Sequence, residues 1–340
     1  MVRFTRRGSA RTALSAVCVL MLGSALVAAE SRPQAPKLVD AVSRGWIRPR
    51  LVWGRFAFSG IRPGLTTRVA QGDQSGETLA ITASGQDFTA LYRSAPSSPE
   101  DLVVEITAGS QLRIQRRPRG EADFAPVEFE QPDEGPLRLV VEQPCQKRVV
   151  RAPSLWHLLV KEPQACREHL IPLLTLLDGH SNLEGKANEL ESLLLRGAAT
   201  NEPPDPTRWA TLIEQLGDDR FARREAADRE LRALGRVVLT YLRRLDRGRL
   251  DAEQQYRIER IVDHLSQDVT SDTVEDVAPW LAGDAVVWLD LLARDDESIR
   301  RLAAQRLKAL LGEAIAVDPA ADAATRAEQI ERLRARIPGA

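Results

Sequence analysis

From residue 205 onward, apolar side chains return at i, i+3, i+4 and i+7, and this spacing constrains the chain more than any other feature. Trp209, Leu212, Ile213 and Leu216 show it first. Val238, Tyr241, Leu242 and Leu245 follow, then Ile258, Ile261, Val262 and Leu265, then Ala285, Trp288, Leu289 and Leu292. Residues so spaced share one face of a helix. Each predicted helix has one apolar stripe and cannot bury it alone, so the helices must pack on one another. Short connections make consecutive helices antiparallel neighbours. Asp205 is placed to cap the first of them, Pro206 starts it where a missing N–H costs nothing, and Gly217 stops it.

The first half has a different period. In LVVEITA, Leu102, Val104 and Ile106 fall on one face and Val103, Glu105 and Thr107 on the other. After the turn at Gly109-Ser110, Leu112 and Ile114 resume the inward face, which predicts a β-hairpin. TLAITA, FTALYR, VEFE and LRLVVE alternate in the same way, with Pro- and Gly-bearing turns between them. Residues 45–145 are therefore expected to form an antiparallel β domain, a small sandwich or an open barrel. Residues 30–44 read as a linker and 146–204 as a helical connector. In the connector, Pro163 and Pro172 interrupt one helical stretch, and Leu183 to Gly197 forms another, ended by its glycine. The fold class is α+β, with helices over 205–338 after the sheet.

The N-terminus reads as an export signal. Residues 1–13 carry Arg3, Arg6, Arg7 and Arg11 and no acid, and the apolar run from Leu14 to Ala29 is 16 residues long. A membrane-spanning helix needs about 20. Val27-Ala28-Ala29 fits the small-residue rule for cleavage, which puts residues 1–29 in a signal peptide and the mature chain in the periplasm or outside the cell. An uncleaved membrane tether is the competing reading. Cleavage would remove four arginines and leave 43 basic against 48 acidic residues, a net charge of −5. Such a chain has no overall basic field, so nucleic acid is not an expected partner. Two cysteines remain, Cys145 and Cys166, as a candidate disulfide that an exporting compartment permits.

Charge concentrates in LGDDRFARREAADRELRALG, Leu216 to Gly235, where ten of twenty residues are charged. Asp219–Arg223, Arg224–Asp228, Glu225–Arg229 and Asp228–Arg232 stand four apart, a spacing that lets opposite charges meet along a helix. From Arg220 to Arg249, ten arginines face four acids, an excess of +6. Arg236, Arg243, Arg244, Arg247 and Arg249 find no partner at helical spacing. They form the candidate partner-binding patch, suited to another protein of acidic character; a plain solvated surface is the alternative.

Templates for catalysis do not match. The chain has no Gly-rich phosphate loop, no G-x-S-x-G and no H-E-x-x-H. Asp178 to Gly185 superficially resembles a calcium loop, but Leu183 stands where the sharp turn needs glycine. His157, beside Trp156, reads as a structural histidine at a helix surface. No catalytic residue, metal ligand or cofactor is expected. The aromatic cluster from Trp46 to Phe58 reads as the core of the first strand pair.

Two segments also repeat. RREAADRELRAL (223–234) and IRRLAAQRLKAL (299–310) align at an offset of 76, pairing Arg224 with Arg300, Ala227 with Ala303, Leu231 with Leu307 and Leu234 with Leu310. Half that offset suits a two-helix repeat. With LGDDRFARREAA at its head, the stretch 205–312 resembles the HEAT-like repeats of α-solenoids, in particular those of exported bacterial proteins. The resemblance implies stacked helix pairs used as interaction surfaces. It also implies that Arg224 and Arg300 reach across a turn to a neighbouring acid in a structural role. The expected function is a non-catalytic scaffold or protein-binding module outside the cytoplasm. The alternatives are an envelope protein tethered by residues 1–29 and an enzyme with its site in the β domain.

Overall fold

The computed structural model describes residues 37–60, 67–72, 76–84, 87–143, 146–178, 182–200, 204–266, 271–312 and 317–337. The expected signal peptide at residues 1–29 lies outside them. So do Cys145, three residues of the calcium-like loop (179–181) and the chain end at 338–340.

The first half is a sheet of eight antiparallel strands that meander in chain order. They are β3 (Thr67–Gly72), β4 (Thr78–Ser84), β5 (Asp87–Arg93), β6 (Glu100–Thr107), β7 (Gln111–Pro118), β8 (Val127–Gln131), β9 (Leu137–Gln143) and β10 (Gln146–Ala152). The sheet is open, with β3 and β10 at its two edges. Alternation sets its faces. Leu79 and Ile81, Phe88, Ala90 and Tyr92, Val104 and Ile106, Leu112 and Ile114, and Val127 and Phe129 are all buried, and the residues that alternate with them, such as Thr89, Glu105, Arg113 and Glu128, are more exposed. The register pairs Val104 with Ile114 and Ile106 with Leu112, so the apolar face is continuous across strands.

A separate ribbon, β1 (Arg48–Val52) and β2 (Arg55–Ser59), is tied to this sheet by the Phe58 N–H on the Gly109 carbonyl at 2.7 Å, by Arg55 on the Gly135 carbonyl at 2.8 Å, and by a buried glutamine. The buried Gln131 amide accepts from the Phe56 N–H at 2.8 Å and donates to the Phe56 carbonyl at 2.8 Å and the Ser110 carbonyl at 2.6 Å. Phe56 and Phe58 are buried and stacked, with ring centroids 5.8 Å apart. That places these two aromatics in the core, as the sequence predicts.

Two expected boundaries shift. Residues 37–43, inside the presumed linker, form a helix, α1 (Lys37–Ser43), because Leu38 and Ala41 are buried against the core. Strand β10 runs on to Ala152, past the boundary expected at residue 145. Its Val150 and Ala152 turn inward, where a polar strand carrying Lys147, Arg148 and Arg151 still finds a buried face.

Next come α2 (Leu155–Lys161), α3 (Pro163–Ala165), a π-helical turn at Cys166–Leu170, α4 (Ile171–Thr175) and α5 (Leu183–Thr200). Gly197 does not end α5. Its carbonyl and that of Ala198 accept from the Arg306 guanidinium, at 2.9 and 2.8 Å, and the helix runs on to Thr200. The remaining helices are α6 (Pro206–Leu216), α7 (Phe221–Ala233), α8 (Leu239–Arg244), α9 (Ala252–Ser266), α10 (Val274–Ala282), α11 (Ala285–Leu291), α12 (Glu297–Leu311) and α13 (Ala323–Arg334). A 3₁₀ turn at Gly235–Val238 precedes α8, and another at Arg247–Arg249 precedes α9. Asp205 caps α6 as expected, accepting from the Arg208 N–H at 3.0 Å. The sheet and the helices share one continuous buried cluster, which runs from Leu38 to Ile337. No helix among the described residues is long and apolar enough to cross a membrane.

The tip of the β1–β2 ribbon joins the two halves. Trp53 and Gly54 both have positive φ, +53° and +66°, the conformation that a two-residue hairpin turn requires. A non-glycine residue there costs about 1–2 kcal/mol. Asp272 offsets that cost. Its carboxylate accepts from the Trp53 N–H at 2.8 Å, the Gly54 N–H at 2.6 Å and the Trp156 indole at 2.6 Å, and its own N–H donates to the Leu51 carbonyl. The Trp53 ring meets Trp280 edge to face, with centroids 5.3 Å apart. Gly54 is required for space as well, because a Cβ would lie 2.6 Å from Ser154.

Candidate functional site: an apolar groove in the helical array

Helices α5, α6, α10, α11 and α12, with the turn at 235–238, enclose an opening of about 850 Å³. Its floor is apolar. Leu194, Trp209, Trp288 and Ala198 are buried in it, and Leu193, Leu234, Val237, Ala278 and Ala282 line its sides. Each comes from an apolar stripe whose helix turns that face toward its neighbours. Residues of α6 and of α10 both face the open space.

Local chemistry holds the walls. The Trp209 ring packs edge to face on Tyr241, with centroids 5.3 Å apart. The Trp288 indole donates to the Ala282 carbonyl at 2.9 Å. Gly283 lets α10 close on the turn at 235–238, since a Cβ there would lie 1.8 Å from the Val237 carbonyl oxygen. Arg306 is buried beneath the groove, donating to the Gly197 and Ala198 carbonyls, and burial pushes its pKa down. Arg208 donates to Glu230 at 2.8 Å through Nε. Arg196 and Glu275 also line the opening; both are exposed, and neither has an ion-pair partner among the described residues. A volume of this size, apolar with a few charged groups, falls in the range of small-ligand and peptide pockets.

The five arginines of the expected patch do not form one surface. Arg236 pairs with Asp276 at 2.7 Å, and its guanidinium lies 5.3 Å from the Trp53 ring centroid. Arg243 lies over the same ring at 4.8 Å and donates to Ser266 at 3.0 Å. Arg244 holds both oxygens of Asp284, at 3.1 and 3.2 Å. These three secure the hairpin tip and the start of α11. Arg247 and Arg249 stay on the turn before α9, where Arg249 is 87% exposed and pairs with Asp246 at 3.5 Å. The partners of Arg236 and Arg244 lie 40 residues away, beyond any local spacing rule.

Pairing in α7 differs from expectation for the same reason. Of the four predicted i,i+4 pairs, Asp228–Arg232 is present. The other charges reach elsewhere: Arg223 to Asp218 at 2.9 Å, Arg224 to Glu253 at 3.4 Å, Glu225 to Arg257 at 2.8 Å and Glu230 to Arg208. Three of these four ties cross to another helix rather than run along α7. Arg224 also donates to the Asp218 and Asp219 carbonyls at 2.7 and 3.2 Å. Arg300 donates to the Arg294 carbonyl at 2.9 Å and the Asp295 carbonyl at 2.5 Å, the same positions shifted by 76.

His157 is not at a helix surface. It is 2% exposed, between Ser154 at 2.7 Å from Nδ1 and Asp284 at 3.3 Å from Nε2. The hydrogen-bond network is satisfied by the tautomer in which Nε2 carries the proton to Asp284 and Nδ1 accepts from Ser154. A serine, a histidine and an aspartate thus converge, but Ser154 and Asp284 are 2% and 3% exposed. A substrate has no path to a hydroxyl so enclosed, and all three groups have structural duties. Ser154 caps α2, and Asp284 caps α11 through the Val286 N–H. Burial pushes the Asp284 carboxyl up, but His157, Arg244 and the Val286 N–H outweigh it and hold it below its ordinary value. Sequence reasoning missed this network because Ser154 and His157 lie 127 or more residues from Asp284.

Cys166 is a free, buried thiol near the Leu158 carbonyl, 3.6 Å away, and burial pushes its pKa up to about 12. The other half of the candidate disulfide, Cys145, lies outside the described residues. Among the described residues, no group of three His, Cys, Asp or Glu side chains is placed to hold a metal ion. No protein-family model, curated protein or solved structure matches the chain.

Proposed function

We propose that the protein is an exported, non-catalytic binding module that engages another protein through the surface of its helical array. The observation that carries this reading is the half-open apolar groove between α6 and α10, where the packed helices leave apolar surface uncovered. The HEAT-like part of the reading draws support from one device used twice. Arg224 and Arg300, in matching positions of α7 and α12, grip the carbonyls of the preceding loop in the same way. Export rests on the basic, acid-free start and the short apolar run of residues 1–29.

Two measurements test it. Mass spectrometry of the protein from its native host should find a mature N-terminus at Glu30, and an intact Met1 would replace secretion with a tether. Cross-linking in envelope and extracellular fractions should join a partner protein to α5, α6, α10 or α12. Cross-links confined to the β sheet, or none at all, would overturn the reading.

A further inference from the structure

Three features stand out beyond the roles already given. The Ser154–His157–Asp284 set is enclosed and satisfied. The exposed Phe221 and Tyr256 each lie beside an arginine of their own helix, and their surroundings select no partner. The groove is the feature whose chemistry selects an occupant.

We infer that the groove binds an apolar peptide segment of the partner that carries an acidic residue at one end and a basic residue at the other. This deepens the proposed function and rests on it. The rim carries both signs: Arg196 on α5 and Glu275 on α10 are exposed and without an ion-pair partner among the described residues, and Asp205, the cap of α6, adds a second exposed carboxylate. An occupant that matches both must offer both signs. Pro279 also lines the opening. It has no N–H, so the Glu275 carbonyl lacks the donor that an ordinary helix supplies four residues on. That leaves this carbonyl, on a residue that lines the opening, short of its helical donor. The apolar lining of Trp209, Trp288, Leu193, Leu194 and Val237 accommodates apolar side chains. A fatty carboxylate would use the floor and Arg196 but leave Glu275 unmatched, so the rim favours a peptide. A volume of about 850 Å³ has room for only a few side chains.

The experiment is a peptide array probed with the full chain. Each peptide has five positions randomised among Leu, Ile, Val, Phe and Met, flanked by two acids, two bases, or one of each. Wild type should prefer the mixed set by about fivefold over either other set, the factor expected of an exposed ion pair near 1 kcal/mol. Arg196→Glu should shift the preference to two bases, and Glu275→Arg to two acids. Both positions are exposed, so the fold should survive, and circular dichroism checks that it does. A preference that stays the same in both variants overturns the inference. Retention of no apolar peptide, while laurate changes the tryptophan fluorescence, assigns the groove to a fatty carboxylate and also overturns it. If the array stays silent but cross-links still map to the helices, the groove proposal falls and partner binding stands. If both fail, the proposed function falls as well.

Discussion

Helices α6 and α7 form one antiparallel pair and α11 and α12 another, with the same apolar register 76 residues apart, but their surroundings differ. In α6, Trp209, Leu212, Ile213 and Leu216 are buried and the opposite face meets solvent. In α11, all seven residues are buried, Asp290 included. Helix α7 opens with Phe221 at the surface, whereas α12 rests on α11 and α5. One pair therefore sits at the margin of the array and the other in its middle. The comparison teaches that a repeated sequence specifies the contact within a helix pair, while position in the stack decides how much the second face matters.

Substitution on that second face should break the comparison most sharply. Thr211 and Val287 occupy matching positions at the offset of 76; Thr211 is exposed and Val287 buried. Val287→Asp should cost more than about 4 kcal/mol in urea unfolding, because it buries an unpaired charge. Thr211→Asp should stay within about 0.5 kcal/mol. Equal effects would mean that the two pairs are equally central.

Smaller effects sharpen the comparison. Arg300 is buried and also donates to the Pro319 carbonyl at 2.6 Å, while Arg224 is partly exposed. Arg300→Ala should cost about 2–3 kcal/mol by stranding buried acceptors, and Arg224→Ala about 1 kcal/mol. Gly283→Ala, at the joint between α10 and α11, should cost about 1–3 kcal/mol, because α10 must move away from Val237. A neutral result would mean that the groove wall yields freely.

The acid limb of stability should report on the α11 pair. Asp284 has a folded pKa below its ordinary value, so its contribution is complete above about pH 4 and is lost as pH falls through the depressed value. The stability gap between wild type and Asp284→Asn, followed by thermal unfolding, should therefore be wide at pH 7 and narrow toward pH 2. A gap that widens on acidification would contradict the assignment. The smallest expected effect is chemical. Cys166 should resist iodoacetamide at pH 8 in the native protein and react once the chain is denatured, because its thiol is buried with a pKa of about 12.

Much of this architecture was legible in the residues, and the part that was not has a common cause. Strands β4 to β9 follow alternation that any reader of TLAITA or LVVEITA would find. Helix α11 was expected to carry one stripe, Ala285, Trp288, Leu289 and Leu292, but all seven of its residues are buried, because neighbours cover it on every side. The helix at Lys37–Ser43 was hidden because only two of its residues reach the core. Gly197 misled because the signal that stops a helix was overridden by a guanidinium from α12.

By itself, the sequence determined the two periods, the caps at Asp205 and Gly217 and the need for helices to lean on one another. Each of these follows from which side chains a local backbone puts on one face. Tertiary structure alone decided that Asp272 would seat a hairpin tip 219 residues earlier in the chain, that Arg244 and His157 would meet at Asp284, and that a groove would stay open beside Trp209. Charges and cavities are settled by distance in space, and spacing along a chain carries no record of that distance.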